Sequence, residues 1–187
     1  DKGCQELRAA LFFVMRHNKM FKGICRLLLA VVLAAALWHA GRPWLFVAGE
    51  DQLIDMMPAY SGMPLDIRFI HSVQKTPVEE YLVVGEDLSE LILQRTRYHS
   101  FGVGLPFMES DGSFYQEGDD FVMDNMNRRF PSLSLRTGVG TQLTVTVDGE
   151  AHYLYRFHPP GYRVDIFTAP GFYGLKLVFQ ERWAKFF

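Results

Sequence analysis

Leu143-Thr144-Val145-Thr146-Val147-Asp148-Gly149-Glu150-Ala151-His152-Tyr153 carries the clearest structural signal in the chain. Its first five residues alternate apolar and polar side chains, the period of a half-buried strand, and Asp-Gly accepts the two positive φ values of a type I′ turn. The pattern predicts a β-hairpin whose second strand runs from Glu150 through Phe157. The same alternation recurs at Leu65-Asp66-Ile67-Arg68-Phe69, and Val78 to Val84 is rich in β-branched and aromatic residues. Leu88 to Tyr98 alternates so as to put Leu91, Leu93, Arg95 and Arg97 on one face. Leu45-Phe46-Val47, Tyr162 to Phe167 and Leu175 to Phe179 also read as strands, the last two bounded by Gly or Pro. About eight strands with turn signals between them, and no long amphipathic helix, predict an all-β domain, a single antiparallel β-sandwich or barrel. Glu109 to Gly140 is the least regular stretch and is expected to be a long loop or an excursion from the sheet.

The 187 residues are 49% hydrophobic and 21% charged, which excludes a disordered, collagen-like or disulfide-scaffold chain. A formal charge of −2 argues against a nucleic-acid partner. That total conceals a split. Residues 1–44 hold seven basic and two acidic residues, +5, and residues 45–187 hold twelve and nineteen, −7. Such asymmetry marks a membrane or targeting element beside a folded part.

At the junction a basic segment ending in Arg26 meets the apolar run Leu27–Trp38. Twelve helical residues rise ~18 Å, short of the ~30 Å hydrocarbon layer but right for a signal-peptide core. The small-residue cleavage pattern Ala34-Ala35-Ala36 lies inside the run, so an uncleaved anchor with Arg26, Trp38, Arg42 and Trp44 at the interfaces stands beside a cleaved signal. Six basic residues precede the run, placing the N-terminus in the cytoplasm and residues from about 45 onward outside, either membrane-tethered or secreted. The expected organisation is a basic leader (1–23), a signal or anchor helix (24–44) and an exported all-β domain (45–187). Cys4 and Cys25 both precede the exported part, which therefore has neither disulfides nor cysteine chemistry.

Two segments concentrate polar chemistry: Phe69-Ile70-His71-Ser72-Val73-Gln74-Lys75-Thr76-Pro77-Val78-Glu79-Glu80, and Tyr98-His99-Ser100-Phe101-Gly102-Val103-Gly104-Leu105-Pro106. The pair His71-Ser-Val-x-Lys-Thr-Pro-Val-Glu-Glu80 and Ser100-Phe-Gly-x-Gly-Leu-Pro106, with Arg128-Arg-Phe-Pro-x-Leu133 further on, resembles the bacterial family known as domain of unknown function 1850. The resemblance extends over most of residues 20 to about 155. It implies a small exported or membrane-anchored protein, often encoded beside the fused permease and the substrate-binding protein of TAXI-type TRAP transporters, and hence an accessory to solute uptake. It brings no established activity with it.

Read physically, His71 and Ser72 as strand neighbours face opposite sides and cannot form a nucleophile–base pair, and no Gly-x-Ser-x-Gly elbow is present. A metal site from His71, His99 and Glu79 or Glu80 lacks a compact ligand spacing. Gly102 and Gly104 lack the third glycine of a dinucleotide fingerprint and read as a bend. The acidic stretch Glu109 to Asp124 has no EF-hand spacing and reads as a solvated face, and His152 and His158 carry no pattern. No enzyme, cofactor or metal is expected. What remains is a recognition surface: Arg68, His71, Ser72, Lys75 and Thr76 as donors to a small organic anion, with Arg95 and Arg97 as a bidentate clamp, and Glu79, Glu80, Ser100, Gly102 and Gly104 in the same segments. Two further readings stand beside it. In one, His71, Ser72 and Thr76 merely hydrogen-bond a turn while Glu79 pairs with an arginine; in the other, the acidic domain docks on the permease or its binding protein.

Overall fold

The structure is a computed structural model that describes residues 2–99 and 112–184, with side chains over 20–99 and 112–179. The chain divides into two compact units, 1–41 and 42–187. The first is a single helix, α1 (Lys2–Gly41), in which the expected basic leader and apolar run are continuous. Its segment Met20–Gly41 is long and apolar enough to cross a membrane, with none of its apolar window buried. Its 22 residues rise ~33 Å, a full hydrocarbon thickness, where the apolar run alone falls short. As a signal or an anchor, this helix fits membrane or secreted placement.

The second unit is mostly β. One sheet has the order β2-β1-β12-β9, from β1 (Pro43–Gly49), β2 (Leu53–Pro58), β9 (Ser132–Arg136) and β12 (Arg163–Pro170). The other has the order β11-β10-β3-β4-β5-β7-β6, with β8 (Arg128–Phe130) also on β5. Its remaining strands are β3 (Pro64–Ile70), β4 (Pro77–Val84), β5 (Leu91–Tyr98), β6 (Ser113–Glu117), β7 (Asp120–Asp124), β10 (Thr144–Val147) and β11 (Glu150–Tyr153). All pairings are antiparallel. The core lies between the two sheets. Leu45, Val47, Val164 and Ile166 enter from the first and Leu65, Ile67, Leu82, Val84, Leu91 and Val145 from the second, as their alternation dictates. The expected antiparallel sandwich is the observed architecture, and Asp148 and Gly149 take φ values of +47° and +85° in the expected hairpin turn.

Four expectations are corrected. Leu175–Phe179 is not a strand but part of α3 (Phe172–Ala184). Tyr173 and Gly174 of that helix cover the outer face of the first sheet: Tyr173 meets Phe46 edge-on at 5.9 Å, and a Cβ on Gly174 would come within 3.0 Å of Met56. That cover explains why Leu45 to Ala48 are buried without interruption. Glu150–Phe157 is a strand only to Tyr153, after which α2 (Leu154–Phe157) turns Leu154 into the core. Between Glu109 and Gly140 the described part holds β6, β7, β8 and β9 in place of a loop. Finally, β5 changes face midway. Tyr81 pairs with Arg95 but Leu82 with Leu93, so Gln94 is an extra residue. Leu91 and Leu93 point into the core, and beyond the bulge Thr96 and Tyr98 do so, leaving Arg95 and Arg97 on the opposite face.

Candidate functional site

After β3 the chain closes a tight turn over residues 71–76. The His71 amide donates to the Thr76 carbonyl at 2.8 Å and the Lys75 amide to the His71 carbonyl at 2.9 Å. Lys75 sits at φ +58°, and the His71 Nδ1 accepts the amides of Val73 and Gln74 at 3.3 Å each. Pro77, with φ preset and no amide to satisfy, opens β4. Because His71 and Ser72 belong to this turn and not to a strand, the expectation that they face opposite sides does not hold: both line one cavity. The turn-bonding role read for His71 is the one observed, and Lys75 and Ser72 are exposed.

That cavity, about 440 Å³, opens between the two sheets where Ile67, Phe69 and Leu143 of one side face Leu135 of the other. Glu80 lines it as well. Its position follows from strand parity, since β4 buries Leu82 and Val84 and Glu80 is on the same side, paired with Ile67 in register. Burial raises the Glu80 carboxyl above the ordinary 4.5, with the charge of Arg128 pulling the other way.

The opposite parity builds a charged outer face. Arg68 on β3 lies 3.5 Å from Glu79 on β4, which also accepts the Tyr81 hydroxyl at 2.8 Å. On β5, Arg95 donates to the Tyr115 hydroxyl at 3.1 Å and lies 3.7 Å from Glu117. Arg97 directs Nε and Nη2 at one oxygen of Asp120, at 2.7 and 2.6 Å, and His99 Nδ1 meets the other at 2.8 Å. The hydrogen bonds of His99 and then Arg97 hold the Asp120 carboxyl below its ordinary value, against partial desolvation. Arg68, Arg95 and Arg97 are thus all faced by carboxylates of the chain itself. Asp120, Glu117 and Tyr115 come from the β6–β7 hairpin, which sequence reading took for a solvated acidic stretch. Asp120 had a usable signal, a carboxylate just after the turn glycine Gly118.

The sequence-selected residues therefore divide. His71, Ser72 and Glu80 meet at the cavity, whereas Arg68, Glu79, Arg95 and Arg97 form the outer ladder. Thr76 contributes its carbonyl to the turn. Ser100, Gly102 and Gly104 lie outside the described residues. An outer cleft of about 370 Å³ beside Arg68 is lined by Gln142, Thr144, Thr146, Tyr153 and Tyr155. Among the described residues, the group able to offer three ligand atoms to a metal is not the one weighed from sequence but Asp55, Glu150 and His152. It sits on the edge strands β2 and β11, with His152 Nε2 2.9 Å from Asp55 Oδ2. His158 stacks on Tyr162 at 4.1 Å.

No curated protein and no solved structure matches this chain. The family match begins at Leu65, leaving out the apolar N-terminus that the sequence resemblance took in, and it covers the described strands of the larger sheet from the second residue of β3 to the end of β11. Residues 65–154 match the model of the family described as a domain of unknown function (DUF1850), and over that segment the chain is similar to this family.

Proposed function

We propose that the β domain is an accessory to a solute-uptake system of the TRAP type, working outside the cytoplasm as a protein-interaction module held at the membrane by α1. The accessory role follows from the resemblance of the His71–Glu80 and Ser100–Pro106 signatures; the mode of action rests on β6. This strand ends the larger sheet, all five of its residues are exposed, and no other described strand pairs with its outer edge. The backbone groups that Gln116 turns away from β7 can take an added strand, and the exposed Tyr115 supplies apolar contact. The acidic balance of the domain suits a basic surface on a permease or binding protein. Binding without catalysis fits the use of the His71 Nδ1 in its own turn.

The test is co-purification of the tagged full chain, in mild detergent, with the permease encoded beside it. Retention is expected, together with at least tenfold loss in Gln116→Pro, which removes an amide on the side of β6 turned away from β7. A chain that retains no transporter subunit overturns the reading. The outer cleft beside Arg68 supports a second reading, a small organic-anion module in which the guanidinium and neighbouring hydroxyls receive a carboxylate. Dicarboxylates should then raise the melting temperature of the wild type and not of Arg68→Ala, and a flat panel rejects it.

A further inference from the structure

The cavity between the sheets is distinct from the outer cleft and from the β6 edge, and it carries an inward carboxylate, Glu80. Its inner walls include Ile67, Phe69, Leu135 and Leu143, with His71, Ser72, Arg136 and Thr141 lining it beside Glu80, and its volume of about 440 Å³ falls in the range of small-molecule pockets, ~300–1,000 Å³. A sandwich normally fills the space between its sheets with side chains, and the neighbouring inward positions Leu65, Leu82 and Val84 do so. Glu80 occupies the next inward position of β4, where a carboxylate costs free energy unless something pairs with it. The cationic side chain at the mouth, Arg136, is already engaged by the Gly161 carbonyl at 2.8 Å and lies 3.7 Å from Glu50. An anion entering this space would meet Glu80 of like charge, while the His71 Nδ1 is already engaged by the amides of its own turn.

We infer that this cavity is a binding site for a small amphiphilic amine, whose apolar body lies between the sheets against Ile67 and Leu135 and whose ammonium group is received by the Glu80 carboxylate. Such a ligand satisfies both halves of the lining at once: the apolar walls gain by excluding water, and the inward carboxylate gains a charged donor. The charge of Arg128 acts on Glu80 against the effect of burial. The inference goes beyond the accessory role and stands whether or not the domain docks on a transporter.

The experiment is calorimetric titration of the full chain in lipid nanodiscs with hexylamine, hexanol and hexanoate, with empty nanodiscs as the blank. Saturable binding of hexylamine is expected, at least tenfold tighter than that of hexanoate. Glu80→Gln should lose at least tenfold in hexylamine affinity while binding hexanol as the wild type does. Leu135→Trp, which fills the cavity from a half-buried position, should abolish binding of all three, and Arg136→Ala should leave hexylamine within twofold. If Glu80→Gln does not fold, Leu135→Trp still decides. The inference is overturned by a chain that takes up no hexylamine, by hexanoate binding as tightly as hexylamine, or by hexylamine binding that survives Leu135→Trp.

Discussion

Glu79 and Glu80 are neighbours in sequence and opposites in environment. Glu79 stands on the outer face beside Arg68 and Tyr81, and Glu80 is turned toward the cavity between the sheets. Parity on one strand is enough to separate them. Because burial raises the Glu80 carboxyl, the folded state holds that proton more tightly than the unfolded chain does. The stability this confers is complete below the ordinary value of 4.5 and is lost as pH rises through the folded-state value. Glu80→Gln removes this titration, so its melting temperature relative to wild type should climb between pH 4 and pH 7; a difference that stays flat with pH counts against the assignment. Asp120 runs the other way. Its carboxyl is held low by His99 and Arg97, so its contribution is present above the ordinary 3.8 and lost as pH falls through the lower folded-state value. Asp120→Asn should melt below wild type at pH 7, with the gap closing in strong acid, as scanning calorimetry at several pH values would show.

How much of an element can be read from its residues depends on whether its neighbours disturb its period. β3, β4 and the Asp148-Gly149 hairpin were legible because one face of each is buried and the alternation is unbroken. The left-handed turn residues give a direct check. Gly149 sits at φ +85° with open space around it, so Gly149→Ala should cost about 1 kcal/mol through backbone strain alone, measured by urea unfolding. β5 misled at Gln94, where one extra residue moved Arg95 and Arg97 to the face opposite Leu93. Leu175-Lys176-Leu177-Val178-Phe179 fits a two-residue period over so short a window, and only the close approach of Gly174 to Met56 and Phe46 identifies a helix lying across a sheet. The cavity was half-legible: the signature residues His71, Ser72 and Glu80 were selected, but Leu135 and Arg136 come from a stretch read as irregular. No local pattern could bring them there.

In the β domain as a whole, the two sheets share one core, so neither has an apolar face it can keep without the other. Ile166 is fully buried between them, and Ile166→Ala should lower the unfolding free energy by about 2–5 kcal/mol while leaving a single transition by calorimetry and far-UV dichroism. Two separate transitions would show instead that the sheets are independent. The charge division noted in the sequence coincides closely with the division into compact units: the excess positive charge belongs to α1, and the acidic excess is carried by the β domain.

β1 and β12 are the first and last described strands of this domain, yet they are partners, in register from Pro43 with Pro170 to Gly49 with Val164. Gly171 then donates its amide to the Arg42 carbonyl at 3.0 Å. During synthesis β1 can pair with β2 at once but waits for its other neighbour, β12, through more than a hundred intervening residues. In the larger sheet β3, β4 and β5 can pair in the order in which they are translated, β10 returns to β3 later, and the smaller sheet is completed only by the arrival of β12. The core shared by the two sheets is therefore closed only when β12, with its buried Val164 and Ile166, has joined β1.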